Sequence, residues 1–207
     1  MTKIIQFPLK SEGKFGLKPA NKKKLKNLED AGQLNLFRSS SEAKVISLTI
    51  EEAFERAIKY HDSNAEEAIK LYQESIDKES HVADSYCNMG ILYASMKEHA
   101  KAIDAFTRSL HEEPRHFEAH FNLANMYADE GNQSLAELHY KIASEIEPED
   151  PNIFYNMALV CALQEKYQEA LQALNTYLSL QPQHVIDKEA QQLMVILQSS
   201  VETQKGL

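Results

Sequence analysis

The stretch FEAHFNLANMYADEGNQSLAELHYKIASEIEPED, residues 117–150, decides the fold of this chain. Apolar residues recur at helical spacing up to Gly131-Asn132, resume after that turn, and stop at Pro148. The layout returns at a step of 34 residues. Asn88-Met89-Gly90, Asn122-Leu123-Ala124 and Asn156-Met157-Ala158 keep the step, as do Ala102, Ala136 and Ala170, and Pro114, Pro148 and Pro182. A 34-residue period of this composition predicts an all-α helix-turn-helix solenoid, whose units bury their apolar faces only by stacking. Such a fold offers a concave surface for a partner rather than a catalytic cleft.

Working outward, four units follow one another over 49–82, 83–116, 117–150 and 151–184. The predicted helix pairs are 50–61 with 65–78, 83–96 with 99–112, 117–130 with 133–146, and 151–164 with 167–180. Thr49-Ile50-Glu51-Glu52 has capping-box spacing, and Asn64 is the expected cap of the second helix. Each proline follows a second helix, which it cannot continue, and sets the entry of the next. A capping helix over about 187–199 carries Ile186, Ala190, Leu193 and Leu197 on one face, with 200–207 expected as a flexible end. Its run Leu193-Met194-Val195-Ile196-Leu197 is apolar all round, which predicts burial on the fourth repeat.

These residues resemble the tetratricopeptide repeat family. That family's pattern has a large residue at repeat position 4, Leu at 7, Gly or Ala at 8, Tyr at 11, Ala at 20, an aromatic at 24, Ala at 27 and Pro at 32. The repeat from Ala83 matches with Tyr86, Met89, Gly90, Tyr93, Ala102, Phe106 and Pro114, but has Ser109 at position 27. The repeat from Phe117 matches with Leu123, Ala124, Tyr127, Ala136, Tyr140, Ala143 and Pro148, with His120 at position 4. The repeat from Pro151 keeps Phe154, Met157, Ala158, Ala170 and Pro182, and departs at Cys161, Leu174 and Tyr177. The repeat from Thr49 is degenerate: Glu55 and Arg56 stand where Leu and Gly belong, and Ser80 replaces the proline. The pattern has a packing logic, since small residues admit close helix contact and large ones fill the gaps.

The resemblance implies a peptide-binding groove lined by the first helices, here Cys87, Asn88, Ile91, Phe121, Asn122, Asn125, Tyr155, Asn156 and Leu159. Asn88, Asn122 and Asn156 place one amide per repeat, and an amide can donate to a peptide carbonyl and accept from its N–H together. Members that hold a C-terminal carboxylate use Lys and Arg in the groove. The corresponding residues here include Ala53, Ala57, Glu118 and Asn122, so that use is not expected.

Chemistry has little support. His111-Glu112-Glu113-Pro114-Arg115-His116 imitates a zinc-protease signature, but the second His is one residue too far and Pro114 interrupts the helix. His116 and His120 have the i, i+4 spacing of two metal ligands, yet position 120 is a packing position. No Gly-rich phosphate loop or nucleophile elbow occurs. The expectation is a non-enzyme without metal, cofactor or small-molecule substrate.

Charge divides the chain. Residues 1–48 hold ten Lys or Arg against four acids, a net of +6, and 49–207 hold twelve against twenty-seven, a net of -15. With Gly13, Gly16, Gly32 and the run Lys22-Lys23-Lys24-Leu25-Lys26, the first 48 residues read as a disordered basic tail, with a short helix over 22–31 as an option. Gln33-Leu34-Asn35-Leu36-Phe37 resembles the peptides that dock on DNA polymerase sliding clamps. The same residues also resemble linkers of MerR-type regulators that carry these repeats, although this chain has no winged helix. A third use is docking in cis, with Leu34, Leu36 and Phe37 in the groove. A nucleic-acid-associated factor recruited through the tail is thus the alternative to a protein-binding scaffold. Cys87 and Cys161 fall in different repeats and are expected to stay reduced. With no run of 18 apolar residues, no membrane span is expected, and the reading places the protein in the cytoplasm.

Overall fold

The computed structural model describes residues 53–182 and 187–205. The basic tail, the segment 22–31, the Gln33–Phe37 motif, the capping box at Thr49 and Ile186 lie outside the described residues. Every regular element among the described residues is an α-helix. The first, α1, occupies 53–60. It is followed by α2 (Ala65–Asp77), α3 (Val82–Ser95), α4 (His99–Glu112), α5 (Phe117–Asp129), α6 (Gln133–Ile146), α7 (Pro151–Leu163), α8 (Tyr167–Leu180) and α9 (Lys188–Lys205). These helices fall into two compact units, one within Leu17–Pro114 and one within Arg115–Leu207.

In the unit of α1–α4, Phe54 and Ala57 of α1 meet Ala68, Leu71 and Tyr72 of α2, and Met89, Leu92 and Ala105 complete the core. Gly90 shows why its position needs a small residue. A methyl group there would stand 2.6 Å from the Phe106 ring, so α3 and α4 could not close. In the unit of α5–α9, the hairpins α5–α6 and α7–α8 stack through α6 on α7, and α5 also touches α7. Phe121, Ala124, Ala136, Tyr140, Ala143, Ile153 and Val160 form one cluster of this unit. Ala190, Leu193 and Leu197 of α9 cover Tyr155, Leu174 and Tyr177.

Local chemistry sets the boundaries. The side chains of Asn64 and Asn132 accept from the N–H groups of Glu67 and Leu135, and Asp150 caps α7 with Pro151 in its first turn. The residues before Pro114, Pro148 and Pro182 are Glu113, Glu147 and Gln181, with ψ of 93°, 79° and 145°, which the proline ring requires. Ser80 imposes no such limit. Glu79 there takes φ 56° and the Ser80 N–H reaches back to the Ser75 carbonyl at 2.9 Å, a left-handed helix stop of a different kind.

Two readings need correction. Glu55 and Arg56 are exposed, and the buried stripe of α1 is Ala53, Phe54, Ala57 and His61. His61 contacts the Tyr72 hydroxyl at 3.1 Å, so the degenerate repeat keeps its packing across the turn 61–64. At the other end, α9 runs on to Lys205 past the expected stop at Ser199. Val201 is buried and the Gln204 side chain donates to the Glu165 carbonyl, which anchors the extra turns. The apolar run of α9 is covered on one side only, with Val195 65% exposed.

Candidate functional site

Cys87, Asn88 and Ile91 stand on α3, Phe121, Asn122 and Asn125 on α5, and Tyr155, Asn156 and Leu159 on α7. All nine are buried. Phe121 packs edge-on to Tyr140 with ring centroids 6.0 Å apart, and Tyr155 lies 5.1 Å from Tyr177. Asn125 joins three helices, because its Oδ1 accepts from the Tyr140 hydroxyl at 2.5 Å and from Asn156 Nδ2 at 3.1 Å. Asn122 has a different arrangement. Its Nδ2 donates to the Glu118 carbonyl one turn back, at 2.8 Å.

What remains open on these amides is specific. Asn122 Oδ1 and Asn125 Nδ2 are sealed from solvent with no hydrogen-bond partner among the described residues. A buried polar atom without a partner costs about 1–3 kcal/mol. The open atoms are one acceptor and one donor, three residues apart on α5.

Around this face the charge is one-sided. Helices α5 and α7 contain Glu118 and Asp129 and no Lys or Arg. Burial and the nearby carboxylates of Glu189 and Asp187 push the Tyr155 hydroxyl well above its ordinary pKa. Asp187 also accepts from the Tyr177 hydroxyl and from the Ala190 N–H, so it caps α9. Its role was not legible, because nothing in the local sequence pairs Asp187 with Tyr177.

Two polar clusters lie away from this face. His120 and His139 approach through their Nδ1 atoms at 2.9 Å, and His139 stacks on Tyr127. Burial, then His120, hold the His139 pKa down at about 4. His116 uses its Nδ1 to accept from the Ala119 N–H, so His116 and His120 are turned to separate tasks rather than to one ion. The second cluster brings Glu137, Cys161 and Glu169 within 4.8 Å. Burial opposes ionisation of Glu137, but hydrogen bonds from Lys141, Lys166 and Gln164 outweigh it and hold the carboxyl at about 2. Burial, then Glu137 and Glu169, push the Cys161 thiol up to about 11, so it keeps its proton at neutral pH. A carboxylate already held by two ammonium groups beside a protonated thiol is an ion-pair network and a poor cation cage.

Comparison with known proteins agrees with this fold. The tetratricopeptide repeat family matches at residues 83–116 and again at 151–184. The chain is a tetratricopeptide repeat protein. The fold is shared with the solved structure of MamA AMB-1, at a TM-score of 0.64 and 15% identity over 77% of this chain and 86% of that one. A second solved structure, the first tetratricopeptide domain of Spaghetti (RPAP3) bound to an HSP90 peptide, SRMEEVD, aligns at a TM-score of 0.53. It is 18% identical over 58% of this chain and 93% of that one. In sequence, this chain is 27% identical over 101 residues to Protein bimA of Emericella nidulans, covering 49% of this chain and 12% of that protein. The chain therefore spans a small part of that relative's length. None of these similar proteins speaks for the nucleic-acid-associated alternative. Among the described residues, no helix is long and apolar enough to cross a membrane.

Proposed function

We propose that this chain is a non-catalytic protein-interaction scaffold that holds an extended peptide segment against its first helices. The observation that carries this reading is the pair of open amide atoms, Asn122 Oδ1 and Asn125 Nδ2, buried without partners on one face of α5. A peptide backbone supplies the missing partner once the Asn122 amide, which has a single bond to the Glu118 carbonyl, swings out from beneath its neighbours. The RPAP3 domain supports peptide binding as a use of this fold, but its peptide carries three acidic residues. Glu118 and Asp129, with no cation on α5, disfavour that class of ligand here.

The test separates the two amides. Asn122→Ala removes an atom that binds a ligand and only one local bond, so peptide affinity should fall about tenfold, roughly 1.4 kcal/mol, with stability nearly unchanged. Asn125→Ala strands the Tyr140 hydroxyl and should destabilise by about 1–3 kcal/mol. Binding is read by fluorescence anisotropy on a peptide array hit, and stability by thermal melting. If Asn122→Ala lowers the melting point as far as Asn125→Ala does and spares binding, the amides serve the fold alone.

A further inference from the structure

Helix α9 covers its own unit with one face and leaves the opposite face bare. Ala190, Leu193, Leu197 and Val201 are buried, the first three against Tyr155, Leu174 and Tyr177. Half a turn away, Lys188, Gln192, Val195, Ser199 and Glu202 follow at steps of four, three, four and three, so they form one outer stripe. All five are exposed. Val195 at the middle is 65% exposed, with Ile196 36% exposed beside it. No Asp, Glu, Lys or Arg occurs from 190 to 201. A solvated helix face ordinarily carries charge along its length, and this one holds a valine at its centre.

The stripe is its own complement. Val195 lies seven residues from Lys188 and seven from Glu202, about 10 Å along the axis on either side. When two such helices cross antiparallel at Val195, Lys188 of each meets Glu202 of the other. The same two-fold sets Gln192 opposite Gln198 and Gln191 opposite Ser199, all of them exposed and able to donate and accept. A parallel pair would set lysine on lysine and glutamate on glutamate. Elsewhere charge opposes self-contact, since residues 49–207 carry a net of -15 and two copies repel. The two charges of the stripe cancel, so two acidic bodies meet there without bringing like charges together. A partner of unrelated sequence must match both the lysine and the glutamate at this spacing, whereas a second copy does so by symmetry.

We propose that this stripe is a self-association face, on which α9 packs antiparallel against α9 of a second copy about a two-fold axis at Val195. The contact is isologous, so it closes on a dimer and does not propagate. One helix pair falls at the low end of specific interfaces, below about 1,200 Å² in total, so dimer and monomer exchange at micromolar concentration. The dimer joins two peptide-binding faces in one assembly, where two weak contacts act together. The inference does not depend on the peptide-binding reading, because no residue of the stripe belongs to that face.

The experiment is sedimentation velocity on full-length protein from about 1 to about 300 μM. Wild type should pass from monomer to dimer across this range. Val195→Lys puts two like charges at the axis and should weaken association at least about tenfold. Lys188→Glu and Glu202→Lys, each alone, leave like charges facing and should each weaken it at least about threefold. Together they exchange the two ends and should restore association to within about twofold of wild type. Both reversals suit the helix dipole, with an acid in the first turn and a base in the last, so lost association is not lost folding. Unchanged melting temperatures check this. A monomer at every concentration overturns the inference. So does a dimer indifferent to Val195→Lys, or one that the double reversal fails to restore. If wild type stays monomeric and Val195→Lys abolishes binding of a separate protein, the face belongs to that partner and the inference is overturned.

Discussion

At the residue scale, one turn position links sequence to strain. Lys97, Gly131 and Glu165 are 34 residues apart and have φ of 63°, 80° and 60°. Only glycine takes that conformation without a steric cost. Gly131→Ala should therefore destabilise by about 1 kcal/mol, although open space surrounds its Cα. Lys97→Gly should do the reverse, gaining about 0.5 kcal/mol after the extra entropy of the unfolded glycine is counted. Denaturant midpoints measure both. The histidines give a pH signature. With its pKa held at about 4 in the fold, His139 takes up its proton more readily when unfolded. Its contribution is complete above pH 6.5 and is lost as the pH falls to about 4. The groups facing it are His120 and Tyr127. The buried ring of His61, also lowered by burial against a smaller opposing pull from Asp62, acts with the same sign. Melting temperature should fall across that window, and less steeply in His139→Gln.

At the element scale, the chain uses two ways to leave a second helix. Where position 32 is proline, the preceding residue is extended; where it is Ser80, Glu79 turns left-handed and the backbone bonds to Ser75. Ser80→Pro moves the sequence toward the family pattern yet removes the Ser80 N–H and forbids the Glu79 conformation. It should destabilise the protein by at least about 1 kcal/mol, measured by chemical denaturation. A gain in stability would show that the first turn can be rebuilt in the manner of the others. Seven helices ended within a residue or so of their expected bounds, because caps, glycine and proline act locally. The first repeat was harder to read. Glu55 and Arg56 occupy the family's packing positions there, whereas Phe54, Ala57 and the partly buried Ile58 mark the packed face by their own spacing. The length of α9 was missed for another reason: Val201 and Gln204 are held by distant contacts that no local pattern announces.

At the scale of the whole molecule, the opposite charges of 1–48 and 49–207 matter most. Deleting residues 1–44 should leave one or more cooperative helical transitions in place, with the midpoint lowered by at most a few degrees at low salt and unchanged in high salt, where charge is screened within about 3 Å. Loss of cooperativity in circular dichroism would make the first segment part of the core. The sequence by itself determined the all-α class, the 34-residue step and nearly every helix boundary, since each depends on residues a turn or two apart. The groove residues proposed from their repeat positions are a reading of the family resemblance. Only the tertiary structure decided what their side chains do: Asn125 binds Tyr140 and Asn156, while Asn122 and Asn125 each keep one atom open. That division arises because a hydrogen bond between helices depends on distances of a few tenths of an ångström, set by how neighbouring side chains pack, and periodicity carries no such distance.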